Sequence, residues 1–542
     1  MSKTPAKKKN PPKANPAKGS RPAKKEPQPT EENRAQAAKY AAKQLLAGNT
    51  SLAKIKQEAA RKFNLPNFLR NSEILPQLPK SAPKRVRALL LKRPSRTASG
   101  VTPVALMIKP EGSCPFSCIY CPYTGKAAKS YTGEEPAALR ARQFGFDALA
   151  QVQGRLRHYA ETGHPTDKCE AIIMGGTFLS MPEKYKRAFV KKMYDGFNNK
   201  PSRSIANAKK INESAKCRVV GLTMETRPDV CKKAHIREML SYGATRVELG
   251  VQNPDDIIYK KINRGHSVKD VENATKWLRD SAFKVCYHLM PGLPGSGPKK
   301  DVQMVKRVFL DSRFMPDMLK VYPTLVLGGT ILSEMAAQGK YEPYSTEEAA
   351  DVISEFYRHI PKWARVMRIQ RDIPSGLIGA GVEKSNLREL VEAAVRRKGI
   401  DAKEIRYREP GVRKLPTEKP ELCRTDYLAA GGREIFLSIE AGNCILGFAR
   451  LRIPHSPFVE EIPKSSALIR ELHVYGPETS IGRKGESAQH RSFGSALLKE
   501  AEYIAKEECG KAEMVIISGV GARRYYYKHG YAPKGPYVAK KL

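Results

Sequence analysis

The sequence predicts an α/β chain: a partial or full parallel (β/α) barrel, then a smaller C-terminal α+β domain, with a basic disordered and helical N-terminal extension. Three observations predict it. From residue 104 to residue 322, short β-branched or apolar runs alternate with longer Ala/Lys/Glu/Leu-rich stretches, the pattern of β/α units around a parallel sheet. Beyond a charged, Pro-containing stretch the chain becomes richer in strand-like runs from Cys423 onward. The first 30 residues are Lys, Pro and Ala with almost nothing to bury, so they read as a disordered arm. The division expected is 1–30 tail, 31–98 basic helical region, 99–384 barrel, 385–422 linker and 423–542 C-terminal domain. At about 150 residues per domain, 542 residues allow for it.

Composition narrows the function. The chain carries 96 Lys+Arg against 55 Asp+Glu, a formal net charge of +41. Residues 1–100 contribute +19, residues 101–420 contribute +18 and residues 421–542 only +4. A charge of this size calls for a polyanionic partner, usually nucleic acid. No apolar run approaches the roughly 18 residues that span a bilayer, and the N-terminus lacks a signal-peptide core. The expectation is a soluble, cytoplasmic protein without a membrane partner. Thiols stay reduced there, so the 10 Cys are not a disulfide framework.

In the extension, Glu31–Ala47 is Ala-rich and free of Gly and Pro, which favours helix. A second helix is expected over Ser51–Phe63, with Ser51 as N-cap and Ile55, Ala59 and Phe63 on one face. The opposite faces are Lys/Arg-rich, which suits RNA phosphate contact as well as plain solvation.

Strands are expected at Val104–Ile108, Ala171–Met174, Val219–Met224, Arg246–Val251, Val285–Met290 and Met318–Tyr322. Helices are expected at Pro182–Phe197, Pro228–Tyr242 and Val268–Ser281. Several runs end in Gly or polar residues: Gly175-Gly176-Thr177, Thr223 to Thr226 including Glu225, Gly250-Val251-Gln252, and Pro291 to Gly295. In such barrels the C-terminal strand ends carry the site, so these residues are candidates for ligand contact.

Just after the first strand stand Cys114, Cys118 and Cys121, a Cys-x3-Cys-x2-Cys loop. Structural zinc wants four ligands, and no neighbouring Cys or His supplies the fourth. An iron–sulfur cluster bound through three cysteines fits better and leaves one iron open. This spacing, Tyr120 before the last Cys and the placement after the first strand resemble the radical S-adenosylmethionine (SAM) superfamily. The resemblance implies a [4Fe-4S] cluster on Cys114, Cys118 and Cys121, with SAM bound at the open iron and cleaved to a 5′-deoxyadenosyl radical. It also places Gly175, Gly176 and Thr177 near the methionine moiety, and Glu225 and Gln252 near its ribose or amino groups.

In the C-terminal region, strands are expected at Ile435–Ile439, Ile445–Arg450, Ile469–Val474 and Met514–Ser518, with a helix at Gly494–Glu507 and a further segment at Tyr525–Gly530. Before that helix, Gln489-His490-Arg491-Ser492-Phe493-Gly494-Ser495 resembles the acetyl-CoA pyrophosphate loop of the GNAT acetyltransferases. Backbone N–H groups at a helix N-terminus cradle a diphosphate. Ser492 stands where the first Gly is usual; it still offers its N–H but tolerates positive φ less readily. The preceding strand, Arg470 to Val474, fits the GNAT strand that splays open for pantetheine.

Radical SAM followed by GNAT resembles the Elongator catalytic subunit, the tRNA uridine(34) acetyltransferase family. Strings such as Ser130-Tyr131-Thr132-Gly133-Glu134-Glu135-Pro136, Glu225-Thr226-Arg227-Pro228-Asp229 and Ser518-Gly519-Val520-Gly521 match as well. The resemblance implies that hydrogen abstraction from the acetyl-CoA methyl group is followed by addition to C5 of the wobble uridine of tRNA and thioester hydrolysis, leaving a 5-carboxymethyl group. It implies that Lys168 lies at the acetyl-CoA/RNA junction. Glu471, Leu472, His473 and Val474, with Ser492, Phe493 and Gly494, would hold CoA, and Tyr525 and Tyr526 would act beside the acetyl group. Implied partners are tRNA, acetyl-CoA, an electron donor, and a second copy or further Elongator-type subunits. Residues 385–422 contain no Cys or His, so no linker zinc is expected. The competing readings are a protein lysine acetyltransferase and a non-catalytic RNA-binding subunit.

Overall fold

A computed structural model of the chain describes residues 31–79, 81–92, 97, 99–112, 114–410, 418–475 and 489–542. The expected disordered arm, residues 1–30, lies outside them. The described residues belong to two compact units divided after Leu90.

The first unit is helical. Helices Glu31–Leu46 and Leu52–Lys62 are followed by short helices at Asn71–Ile74 and Lys84–Leu90. Ala37, Ala38, Ala41, Ala42 and Leu45 are buried with Ile55, Ala59, Leu65, Leu69 and Ile74. The alanines keep the first helix slim enough for close packing. Ile55 and Ala59 are buried as their spacing predicts, while Phe63 is half-buried and tilts against Tyr40 at 6.0 Å. Ser51 occupies the N-cap, yet its side chain makes no cap bond. Lys39, Lys43, Lys54, Arg61, Lys62 and Arg70 remain exposed, as does Phe68.

In the second unit, the strands in chain order are β1 (Thr102–Met107), β2 (Lys168–Met174), β3 (Arg218–Thr226), β4 (Arg246–Gln252), β5 (Lys284–Leu289), β6 (Met318–Val321), β7 (Val326–Leu327), β8 (Arg365–Ile369), β9 (Ile378–Ala380), β10 (Glu421–Ala429), β11 (Gly432–Ala441), β12 (Cys444–Ile453), β13 (Ser466–Val474), β14 (Glu513–Ile516), β15 (Ala532–Lys534) and β16 (Tyr537–Lys541). Strands β1 to β6 and β8 pair in that order, every pair parallel. The result is an open half-barrel with edges at β1 and β8. Pro103 is tolerated because β1 is an edge. The seventh strand, β8, is absent from the sequence reading, because five residues containing two Arg do not form an apolar run.

Residues 385–422, expected as a linker, carry structure instead. Helix Leu387–Arg397 packs on helix Thr346–Phe356 through buried Leu387, Val391 and Val395. The charged residues that suggest a linker are its solvent face. Residues 411–417 lie outside the described set.

The second sheet runs β10-β11-β12-β13-β14-β16-β15. Helix Gln489–Tyr503 covers β11, β12 and β13. It begins five residues before the expected start at Gly494, so the Gln489–Ser495 string forms its first turns. Arg523–Tyr527 is a short helix. Strand β13 pairs with β12 through Val474, but with β14 only over Ser466–Ile469. Beyond Ile469 the two strands part, which leaves one backbone edge of Arg470–Val474 open.

This domain docks on the rim of the half-barrel where the strands begin. Gly519 and Gly521 abut the start of β3: a Cβ on Gly519 would lie 2.0 Å from the Val220 carbonyl oxygen. Four buried guanidiniums, Arg279, Arg450, Arg452 and Arg470, meet three buried carboxylates, Asp280, Asp317 and Glu434, and the half-buried Glu471 across the joint. A bulge opposite Arg450 turns both Arg470 and Glu471 toward the barrel. Among the described residues no helix is long and apolar enough to cross a membrane.

Candidate active sites at the two ends of the barrel

The first site forms where the strands end. Cys114, Cys118 and Cys121 line one cavity with Gly176, Thr177, Glu225 and Gln252. The loop after β1 is pinned to residues 262–264, with Ile119 N donating to the Ile262 carbonyl at 3.2 Å and Asn263 Nδ2 to Ser117 Oγ at 3.0 Å. Gly175 adopts φ 132°, and a Cβ there would lie 2.5 Å from Ile108 Cγ1. Only glycine lets β2 turn this close to the loop. Thr177 is fully buried, and its Oγ1 has no hydrogen-bond partner among the described residues. Tyr131 Oη donates to Glu225 Oε2 at 2.9 Å.

Two further residues, Arg227 and Arg264, reach Cys118. Arg264 Nη1 donates to Cys118 Sγ at 3.4 Å and Arg227 Nη1 at 3.6 Å. The hydrogen bond with Cys121 and these two guanidiniums pull the Cys118 thiol down to about 4. A thiolate held ready in this way is the form that binds metal. In the sequence Arg227 stands only within a matching string, and nothing local marks Arg264, which lies 146 residues from Cys118.

The cavity floor is ionic. Lys320 pairs with Glu248 and stands 3.9 Å from Glu225. His288 Nε2 lies 2.9 Å from Glu248 Oε2, and Arg246 bridges Glu248 to Glu170. Burial opposes the Glu248 charge, but Lys320, His288 and Arg246 hold its carboxyl below the usual range. Glu248, Cys286 and His288 have metal-ligating atoms within 4.8 Å of one another. The Glu248 charge is already matched by Lys320 and Arg246, so the group is an ion cluster inside the barrel rather than a cation site.

The second site lies on the C-terminal domain. A Cβ on Gly494 would lie 2.7 Å from Tyr525 Oη and 3.7 Å from Val474 Cγ2, so Val474, Gly494 and Tyr525 converge where β13 splays. Burial raises the Tyr525 phenol, partly countered by a bond with Ser495. Tyr526 is buried and stacks edge-on against Tyr525 at 5.2 Å. Leu472 and Phe493 pack on the core of this domain. Glu471 instead faces Arg450 at 2.9 Å in the joint, and the buried His473 Nε2 has no partner among the described residues. The side chain of Ser492 lies outside the described residues.

Lys168 begins β2 opposite Arg218, at the rim where the C-terminal domain docks. It lies about 20 Å along the strand from the cysteine end, at ~3.3 Å per residue. It therefore belongs to the acetyltransferase side and not to the SAM cavity.

A parallel half-barrel with a three-cysteine loop at its strand ends, joined to a splayed GNAT sheet, defines a radical SAM enzyme fused to an acetyltransferase. The Radical SAM superfamily matches residues 108–308, its C-terminal domain 316–397, the ELP3 N-terminal domain 36–98 and the Acetyltransferase (GNAT) family 401–531. The chain is 46% identical over 508 residues to the tRNA uridine(34) acetyltransferase of Methanocaldococcus infernus, covering 91% of this chain and 95% of that protein. It is 39% identical to human Elongator complex protein 3, covering 91% and 93%. The solved structure of the archaeal M. infernus Elp3 with an N-terminal deletion superposes with a TM-score of 0.74 at 45% identity, covering 82% of this chain and 100% of that one. The chain belongs to the tRNA uridine(34) acetyltransferase / Elongator complex protein 3 family, and it is an acyltransferase.

This membership brings a [4Fe-4S] cluster, SAM and acetyl-CoA, and the residues present fit them. Arg264 is 5% exposed and has no carboxylate partner among the described residues; its partners are Cys118 Sγ, the Gly250 carbonyl and His266 Nε2. A buried cation without a counter-ion is costly, and the cysteine thiolates supply one. The unsatisfied Thr177 Oγ1 likewise awaits a polar ligand in the same cavity.

Proposed function

We propose that this enzyme installs a 5-carboxymethyl group on the wobble uridine of tRNA, taking the two carbons from acetyl-CoA. The observation that carries the reading is the union, in one chain, of a three-cysteine cavity and a splayed GNAT sheet across an eight-residue ion cluster. The substrate is supported by the names of relatives that cover more than nine-tenths of their own length, and by the net charge of +41. A tRNA substrate fits a cytoplasmic enzyme.

Cys114, Cys118 and Cys121 would hold the cluster, which supplies one-electron cleavage of SAM. Ordinary acid–base chemistry does not readily form a carbon–carbon bond between an acetyl methyl group and uracil C5, so a radical cofactor is needed. The chain supplies placement. Gly175, Gly176 and Thr177 open a backbone edge to SAM, and Glu225, fixed by Tyr131, accepts from its hydroxyl or amino groups, with Gln252 alongside. On the other rim, Leu472 and Val474 line the open β13 edge for pantetheine. Helix Gln489–Tyr503 presents its N-terminal amides, including those at Ser492, Phe493 and Gly494, to the pyrophosphate. Tyr525, neutral through the physiological range, donates to the thioester carbonyl or protonates the leaving thiolate, with Tyr526 behind it. Lys168 stands on the same rim, and the rigid joint fixes the distance the acetyl group must cover. Exposed cations of the helical unit, with Phe68, would grip tRNA phosphates and bases.

The test is anaerobic incubation with SAM, acetyl-CoA, a reductant and unmodified tRNA, followed by nucleoside mass spectrometry. The expected product is 5-carboxymethyluridine, and Cys118→Ala should abolish it while tRNA binding persists. Absence of the product from the wild-type protein with a full cluster overturns the reading.

A further inference from the structure

We infer that Arg264 is the buried counter-ion that sets the reduction potential of the cluster, with the Arg227–Asp229 pair as a weaker second contributor. Both guanidiniums point an Nη1–H at the same sulfur, Cys118 Sγ, at 3.4 and 3.6 Å. They are 5% and 3% exposed, so water screens neither. Their positions are fixed. Arg264 is tied by the Gly250 carbonyl and by His266 Nε2 at 3.0 Å. Arg227 lies 3.5 Å over the Phe116 ring and donates to the Arg264 carbonyl at 2.6 Å.

Their charges are not equivalent. Asp229 engages Arg227 through two bonds of 3.0 Å and cancels much of its charge. Arg264 has no carboxylate partner among the described residues and delivers its charge to the thiolate.

One-electron reduction adds one negative charge to the cluster and breaks no bond, the electron coming from an external reductant. A fixed cation and N–H···S hydrogen bonds favour the more negative form and raise the potential. Arg227 and Arg264 are thus positioning residues that act through Cys118 and make the cluster easier to reduce. The inference rests on the cluster alone and is independent of which RNA or acyl donor the enzyme uses.

The full-length chain, anaerobically reconstituted with iron and sulfide, is titrated with dithionite while the reduced cluster is followed by electron paramagnetic resonance. Iron content is measured for each variant. Arg264→Met should shift the midpoint to more negative potential, and Arg264→Lys, which keeps the charge, should recover most of the shift. Asp229→Asn should move it the opposite way, to more positive potential, by releasing the Arg227 charge. Equal shifts for Arg264→Met and Arg264→Lys would mark a purely structural role and overturn the inference, as would wild-type potentials in both Arg264→Met and Asp229→Asn at full iron content. Should Arg264→Met fail to retain iron, Asp229→Asn decides: a positive shift supports the inference and an unchanged midpoint overturns it. No tRNA or acetyl-CoA is present, so a failure of the uridine chemistry leaves this result untouched.

Discussion

Replacing Asp317 with Asn probes the joint between the two domains. Asp317 is fully buried and receives Arg470 Nη1 and Nη2 at 2.7 and 2.6 Å, with Arg279 at 3.4 Å and Arg450 at 3.7 Å. In the intact joint four cations face four anions; Asn removes one anion and leaves a buried excess of one positive charge. At an effective dielectric constant of about 20, one pair near 3 Å is worth roughly 5–6 kcal/mol before desolvation. The net cost of breaking a buried ion set is about 3–5 kcal/mol. Trp363 stacks on Tyr427 of β10 at 4.2 Å, so its fluorescence reports separation of the domains. Urea titration of that signal should show Asp317→Asn losing about 3–5 kcal/mol, and Arg470→Met in the same chain restoring about 1–3 kcal/mol by rebalancing the charge. A loss below about 0.5 kcal/mol, or no coupling in the double variant, would refute the reasoning. Burial works against the Asp317 charge, but Arg279 and Arg470 hold its carboxyl below the ordinary range. A depressed folded-state pKa stabilises at pH above the unfolded value near 4. The same signal should therefore show the joint weakening as pH falls below about 5.

Gly519→Ala would place a methyl 2.0 Å from the Val220 carbonyl oxygen; a stability loss of about 3 kcal/mol is expected in the same titration, since neither backbone can yield cheaply. Tyr525→Phe should leave stability within about 0.5 kcal/mol, because the ring is 38% exposed, while lowering acetyl-CoA turnover about 100-fold if the phenol is the general acid. Burial raises the Tyr525 pKa, so the wild-type rate should hold across neutral pH and fall only where the phenol ionises, a fall the Phe variant should lack. Removing residues 1–60 should weaken tRNA binding in a filter assay and flatten its dependence on log salt; unchanged binding would make this region a solubilising tail.

Much of this was legible in the chain because it is local. Cys114, Cys118 and Cys121 occupy one loop, and the Gly175-Gly176-Thr177 turn follows one strand, so spacing alone places them. The boundaries were less legible where polar residues are buried. β8 has too few apolar residues to read as a strand, and helix Leu387–Arg397 resembles a linker until its buried face is seen. The Gln489–Ser495 string reads as a loop because its side chains are polar, yet the backbone is helical from Gln489, five residues before the expected start. Lys168 illustrates another limit. Its place before the second strand puts it at the start of a parallel strand, but only the fold shows that the C-terminal domain docks at that end.

The sequence by itself determined the two chemistries, their order along the chain and the basic character of the N-terminal extension. These follow from short-range patterns: cysteine spacing, strand-ending glycines, a helix-opening loop and local charge density. Tertiary structure alone decided that the two sites lie on opposite rims, that Arg227 and Arg264 meet at Cys118 across 109 and 146 residues, and that eight charged side chains cancel inside one joint. The physical reason is that a charge carries no mark of its partner in the sequence. Burial makes pairing obligatory, and only the fold settles which opposite charge is near enough to satisfy it.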